Sequence, residues 1–291
     1  MPELNSQITV SAILITHNSA ENLSSCLTSL SDEFQSLPGE IILFDNNSSD
    51  NTIELTKSNF PDVKIIPSSH NLGFARAANN AARKAAGKYL LFANPDMIID
   101  SGAIGLLIKT MLDHSDAGAV VPRMRNPDGS FQPTCRQFPN PRNMLFSRGS
   151  VFRSKAEPKL LKKSHSSYTL PDYENLTAVP AAAATCMLLE KNFFDHLGGF
   201  DGRFFMFMED TDLCLRIKRA EKKVYFTPAA GAVHLWGKGS TAPRWKRSRY
   251  HHISVWKYFM KHSPGVFSLL VLPPALLVNF CLTNIIGSKR S

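Results

Sequence analysis

Through the first 121 residues, short apolar runs alternate with stretches whose apolar positions recur at helical spacing. Ile8 to Ile15 is an apolar, β-branched run and predicts a buried strand ending at Thr16-His17-Asn18-Ser19. Leu23, Leu27 and Leu30 then fall on one helix face. Glu40 to Phe44 predicts a second buried strand, followed at once by the polar cluster Asp45 to Thr52, in which Asp50 can cap the next helix. Val63 to Ile66 is a third strand. An alanine-rich helix opens within Asn71-Leu72-Gly73-Phe74-Ala75-Arg76 and runs to about Ala86, where Gly87 ends it. Tyr89 to Ala93 is a fourth strand and runs straight into Asn94-Pro95-Asp96. A helix over 101–114 and a strand over 117–121 follow. This alternation predicts an α/β fold: a mostly parallel sheet flanked by helices, with ligands at the carboxyl ends of its strands.

The pattern then changes. Residues 122–175 hold seven prolines and read as a long functional loop or flap. Val179 to Glu190 has helix-forming alanines, but Pro180 and the β-branched Thr177, Val179 and Thr185 favour a strand of small residues that leaves room for a ligand. Phe204 to Phe207 is followed by Glu209, Asp210 and Asp212. From Asp212 the chain turns helical, with Leu213, Ile217 and Ala220 on one face. The carboxylates therefore sit where a loop enters a helix, whose N-terminus favours anions and whose aromatic neighbours can tune a pKa. Taken alone, the stretch fits a capped, solvated helix start equally well. Val224 to Phe226, Ala232 to His234, and Gly237-Lys238-Gly239-Ser240 come next.

Arg244 to His262 interleaves basic and aromatic residues, with an apolar stripe at 253, 256 and 259/260. It predicts an amphipathic helix on a membrane surface; a core-packed helix is the plainer alternative. From His262 to Ser288 there is no formally charged residue. That length could cross a bilayer, but Pro273-Pro274 and Asn279 fit a kinked or re-entrant segment as well. If it does cross, the basic flank places the preceding domain on the cytoplasmic side.

Charge sharpens the picture. The net charge of +9 sits in two patches: residues 136–163 hold eight Lys/Arg against one acid, and residues 243–262 hold six against none. The rest of the chain carries a net of −4. Patches of this kind suit an anionic lipid or a diphosphate, and the acidic remainder argues against nucleic acid as partner. No glycine-rich dinucleotide or P-loop signature follows the first strand. The five cysteines have no metal-ligand spacing and read as free thiols in a reducing compartment. Met1 to Asn5 carries no secretory n- or h-region.

Taken in order, the motifs resemble inverting family-2 glycosyltransferases of the GT-A fold. The matching pieces are Ile15-Thr16-His17-Asn18, Phe44 to Asp50, Asn71 to Arg76, Asn94-Pro95-Asp96, Gly198-Gly199-Phe200-Asp201, Glu209 to Arg216, and His234 with Gly237 and Ser240. The resemblance implies one catalytic domain over 1–242, with a nucleotide-sugar part over 1–121 and an acceptor part over 122–242. The basic helix and apolar segment fill 243–291. It implies Asp210 as general base, supported by Glu209, and Asp45 reading the nucleotide base with Thr16 and Asn18 in the same pocket. Arg76 would approach the nucleotide or its phosphates. Asn94 and Asp96 would replace the usual Asp-x-Asp motif, so that Asp96 and a further ligand, His234, hold Mg²⁺ or Mn²⁺; an isolated histidine is more often structural. Arg136 and Arg216 are expected at phosphate or acceptor, a surface ion pair being the alternative for Arg216.

Within the family, Arg136-Gln137-Phe138-Pro139 and the Asn-Pro-Asp form look most like rhamnosyltransferases that move rhamnose from dTDP-rhamnose in cell-envelope polysaccharide synthesis. The implied partners are that donor, a lipid-linked saccharide acceptor and the cytoplasmic face of the membrane; a homodimer stays open. Two departures stand out. Pro180 to Thr185 replaces a Trp- and Gly-bearing stretch that bears on the acceptor, and Asn94 bears on metal preference. A galactofuranosyl- or N-acetylhexosaminyl-transferase using a UDP-sugar is the nearest alternative. A non-enzymatic basic membrane or nucleic-acid-binding protein is the alternative of another class.

Overall fold

The computed structural model describes residues 8–140, 173–235 and 243–287. Among them a nine-stranded sheet runs in the order β3-β2-β1-β4-β10-β6-β11-β5, with β8 paired to β11. Its parallel half is β1 (Val10–Thr16), β2 (Gly39–Asp45), β3 (Lys64–Pro67) and β4 (Tyr89–Ala93). The connecting helices are α1 (Ala20–Glu33), α2 (Thr52–Asn59) and α3 (Phe74–Ala82). β5 (Met97–Ile99), α4 (Ala103–Asp113) and β6 (Ala117–Arg125) complete the predicted alternation.

The second half is mixed. β10 (Cys186–Glu190) lies antiparallel between β4 and β6, and β11 (Lys223–His234) runs parallel to β6 and antiparallel to β5 and to β8 (Thr177–Val179). β10 is apolar from Cys186 to Leu189 because both its faces are covered. The single small-residue strand expected over 179–190 is therefore three: β8, β9 (Ala181–Ala182) and β10. β9 pairs with β7 (Cys135–Arg136) in a separate two-stranded sheet.

The room expected beside those alanines is filled. Ala181, Ala182 and Ala184 are buried in one core cluster with Leu213, Cys214 and Ile217 of α6 (Glu209–Arg219), which presses close because the strand residues are small. The Cys214 thiol lies 3.7 Å from the Ala182 carbonyl oxygen. That core covers one sheet face together with α3. The other face is covered by α1 and α4, through Leu23, Leu27, Leu30, Ile104 and Leu107. The short helix α5 (Lys191–His196) leads from β10 into the loop before α6.

At the C-terminus, α7 (Arg244–His262) is followed by a π-helical turn over Phe267–Val271 and α8 (Leu272–Gly287). The core face of α7 is Ser254, Val255, Tyr258 and Phe259. This splits the predicted stripe: Phe259 enters the core, whereas Ile253 and Trp256 face out. Pro273 and Pro274 do not break the chain. They fall in the first turn of α8, directly after a widened turn that relieves the clash between a proline ring and the preceding carbonyl. No helix among the described residues is long and apolar enough to cross a membrane.

All five cysteines are free; Cys26, Cys135, Cys186 and Cys214 are buried and Cys281 is exposed. Burial pushes each of the four buried thiols up to about 12.

One buried carboxylate that the sequence pattern did not mark joins two helices. Glu33, at the end of α1, accepts from the backbone N–H of Gly102 at 2.5 Å and of Ile104 at 3.0 Å, and so serves the otherwise unpaired start of α4. Glu33→Ala should cost about 2–3 kcal/mol through these lost charge-assisted bonds, read as a lower urea midpoint at unchanged m-value.

Candidate active site

The parallel register of β1 with β2 and β4 sets Thr16 opposite Asp45 and Leu14 opposite Ala93. Three loops therefore leave the same sheet edge. The first two are knitted together. Thr16 Oγ1 donates to Asp45 at 3.1 Å, and Asp45 also accepts from the Ser48 N–H at 2.9 Å and its hydroxyl at 2.5 Å. The Asn18 N–H donates to Ser48 Oγ, and the Asn18 side chain accepts from the Ser49 N–H at 2.7 Å. Asn18 and Asn47 both take left-handed backbone, which asparagine tolerates better than most residues. Asp45 is thus buried and bonded to its own loops. Asp50 accepts from the N–H of Ala20 and of Thr52, each at 3.1 Å, so it serves the first turns of both α1 and α2.

Asn46 joins the third of the sequence motifs to this pair. Its side chain bonds the Asn71 side chain at 2.9 Å and the Leu72 N–H at 2.7 Å. Gly73 has φ +75°, and a Cβ there would sit 2.3 Å from the Phe205 carbonyl oxygen. That oxygen accepts from the Phe74 N–H at 2.8 Å, which latches the start of α3 to the aromatic loop. Arg76 Nε donates to the Gly202 carbonyl at 2.9 Å, and Asn79 bonds both backbone groups of Phe200. Gly199, with φ +70°, leaves space for that contact, since a Cβ would fall 2.6 Å from Asn79 Oδ1.

The loop after β4 reaches across to β11. Antiparallel pairing sets Met97 opposite His234, and His234 Nε2 comes within 3.3 Å of Asp96 Oδ1. Both residues are buried. Asp96 Oδ1 has no hydrogen-bond partner among the described residues, while His234 Nδ1 meets the Gln132 side-chain oxygen at 2.8 Å. Asn94 precedes them, its N–H held by the Thr185 carbonyl at 2.9 Å. A buried carboxylate oxygen with no hydrogen bond among the described residues, 3.3 Å from an imidazole nitrogen, fits a divalent cation that takes its other ligands from phosphate and water. Among the described residues there is no cluster of three or more His, Cys, Asp or Glu side chains able to hold a metal. Gly237 and Ser240 lie outside the described residues.

The acidic stretch is helical three residues earlier than the pattern suggests, since α6 begins at Glu209 rather than Asp212. Phe207 and Met208 before it have φ of 69° and 70°. Left-handed backbone at a non-glycine residue costs about 1–3 kcal/mol, so surrounding structure must enforce it. Asp210 accepts from Arg136, and Arg136 Nε also donates to Thr211 Oγ1 at 3.1 Å. The short β7–β9 sheet brings Arg136 to this point. Glu209 Oε2 is buried and has no hydrogen-bond partner among the described residues. Burial, reinforced by the neighbouring Asp210 charge, pushes the Glu209 carboxyl up to about 8. Arg216 has a buried partner instead of a surface one: its Nε donates to Asp212 and its Nη1 to the Leu197 carbonyl, both at 2.8 Å.

An acidic pair, a buried carboxylate beside a histidine, and polar loops at the carboxyl edge of a parallel sheet are the kinds of group that a group-transfer reaction uses. The glycosyl transferase family 2 model matches residues 11–198, so the chain belongs to that family and is a glycosyltransferase. It is 29% identical over 234 residues to the N-acetylglucosaminyl-diphospho-decaprenol L-rhamnosyltransferase of Mycobacterium tuberculosis, covering 76% of this chain and 74% of that one. It is 28% identical over 194 residues to the rhamnosyltransferase WbbL of Escherichia coli K12, covering 66% and 69%. Its fold resembles that of the mannosyltransferase PcManGT from Pyrobaculum calidifontis, solved with GDP-Man and Mn2+ (TM-score 0.58, 16% identity, 97% of this chain and 75% of that one). It also resembles that of GalNAc-T7, solved with UDP, GalNAc and Mn2+ (TM-score 0.59, 17% identity, 86% and 48%).

Glu209 gives a pH prediction. A folded pKa near 8 against an ordinary 4.5 means its contribution to stability is complete below pH 4.5 and is lost as pH rises through 8. Wild-type stability should fall over that window, by no more than about 1.4 kcal/mol per pH unit from this group. Glu209→Gln should flatten the fall, measured by urea denaturation at pH 5 and pH 8.5. An equal fall in the variant would remove Glu209 as its source.

Proposed function

We propose that this chain is an inverting glycosyltransferase that moves rhamnose from dTDP-rhamnose onto a lipid-diphosphate-linked saccharide. The observation that carries the reading is the buried Glu209-Asp210 pair, in the first turn of α6 directly after a strained loop latched to the nucleotide-side helix α3. Similarity to two rhamnosyltransferases supports the choice of sugar, and the mycobacterial one, which acts on N-acetylglucosaminyl-diphospho-decaprenol, supports the kind of acceptor.

Asp210 accepts the proton of the acceptor hydroxyl as that oxygen attacks the anomeric carbon from the face opposite the leaving diphosphate. Arg136 and Thr211 hold the carboxylate in place. Glu209 stands beside it as a carboxylic acid, so the pair carries one charge and not two. Asp45, Thr16 and Asn18 shape the pocket for the nucleoside. Asp96 and His234 would hold Mg²⁺ or Mn²⁺, which when bound neutralises the charge that grows on the leaving phosphates.

The enzyme meets its acceptor at an anionic bilayer, docked peripherally through its C-terminal helices. Val266, Leu269, Leu270, Val271, Leu277 and Val278 are exposed there, and Arg244, Lys246 and Arg249 on α7 present positive charge.

Two measurements test this. Purified protein with Mg²⁺ or Mn²⁺ should release dTDP from dTDP-rhamnose, and Asp210→Asn should lose at least about 100-fold in rate while still binding nucleotide by calorimetry. Release from a UDP-sugar instead would keep the family chemistry and discard rhamnose. Release undiminished in Asp210→Asn would remove the assigned base. For docking, the protein should float with vesicles containing phosphatidylglycerol at low salt, and Leu269→Glu/Leu270→Glu should stay in the soluble fraction. Equal flotation of both proteins would move the docking face elsewhere.

A further inference from the structure

The family match ends at residue 198, before the acidic pair and well before α7. The contacts of α7 nevertheless converge on the few residues around that pair. Phe207 and Met208 take left-handed backbone that neither side chain favours, so the restraint comes from elsewhere. Met208 and Phe207 pack in one apolar cluster with Val255, Tyr258 and Phe259 of α7 and Leu272 of α8. Ser254 Oγ donates to the Met206 carbonyl at 2.8 Å, and Lys257 Nζ to the Arg203 carbonyl at 2.7 Å. The Phe205 ring stacks on Tyr250, centroids 4.5 Å apart.

The other end of the same turn is held by charge. Asp212 is fully buried and accepts from Lys261 Nζ at 2.5 Å and His262 Nε2 at 2.7 Å, both in the last turn of α7, besides Arg216 within α6. Lys261 also bonds Asp201 at 2.7 Å. Burial works against the Asp201 charge, but its bonds to Arg203 and Lys261 outweigh it and hold the carboxyl well below the usual range. The Asp212 N–H donates to the Met208 carbonyl at 2.8 Å, closing one helical turn. Glu209 and Asp210 occupy that turn, between a strained residue packed by α7 and α8 and a carboxylate clamped by α7.

We propose that Lys261 and His262 are positioning residues for sugar transfer, acting through Asp212 on the turn that carries Asp210. The C-terminal helix is then part of the active centre and not an appendage to it. This rests on the reading of Asp210 as general base. Neither side chain is assigned contact with a substrate. Their role is to fix the direction of the carboxylate, an effect that shows in turnover before it shows in donor binding.

The test compares wild type, Lys261→Met and Lys261→Arg, with Ser254→Ala as a milder variant that removes one hydrogen bond to the strained loop. Lys261→Met should lower kcat about 10–100-fold while donor KM and calorimetric nucleotide affinity stay within about twofold, and Lys261→Arg should recover most of kcat. Amide hydrogen exchange at 209–212 should quicken at least about tenfold in Lys261→Met, with β1 and β4 unchanged. Ser254→Ala should shift both readouts in the same direction by less, and it carries the test if Lys261→Met does not fold. Unchanged kcat and exchange would overturn the proposal, as would nucleotide affinity falling in step with kcat, which marks general destabilisation. If the wild type transfers no sugar, the reading of the site fails, while the exchange comparison still decides whether Lys261 holds this turn.

Discussion

The loops that leave β1, β2 and β4 are set side by side by the parallel register of β1 between its two neighbours. Because those three strands end together, their exit loops are neighbours by construction, and the side chains that join them need only span a few ångströms. The Thr16–Asp45–Ser48 bonds and the Asn46–Asn71 bond are consequences of that alignment. A one-residue slip of β1 would exchange the side chains that face its two packed layers and would separate Thr16 from Asp45.

The second half of the sheet is organised by a different rule. β10 fills the gap between β4 and β6 in the opposite direction, and β11 then reaches β5, so that the loop after β4 meets a residue more than a hundred positions away. Asp96 and His234 meet only because of that long-range pairing. The acidic pair has its own support, in which close packing of α6 on the alanines of β9 and β10's neighbours fixes the helix and the C-terminal helices fix its entry.

How far the chain could be read in advance follows from these differences. The alternating half was legible because each strand is a continuous apolar run and each helix has its own periodic face, both local properties. The residues around 179–190 were less so, because alanine records close approach without saying what approaches. A ligand and a packed helix ask for the same small side chain. The head of α6 was legible as chemistry, though the helix starts three residues before Asp212, since Glu209 and Asp210 follow two residues of left-handed backbone that nothing in Phe207-Met208 announces. The role of Glu33 and the Lys261–Asp212 contact carried no local signal, since both depend on residues brought close by tertiary packing. The i, i+4 spacing of Asp212 and Arg216 is legible in the chain, but spacing says nothing of the burial of that pair.

The cysteine pattern has a practical side. Four thiols are sealed inside the fold and held protonated far above neutral pH, while Cys281 stands exposed on α8, three residues beyond Val278 on the apolar C-terminal surface. The native chain thus offers one addressable sulfur, placed close to the surface assigned to the bilayer. A polarity-sensitive dye or spin label could be fixed there without removing any other cysteine, and the unmodified sequence would report on its own surroundings.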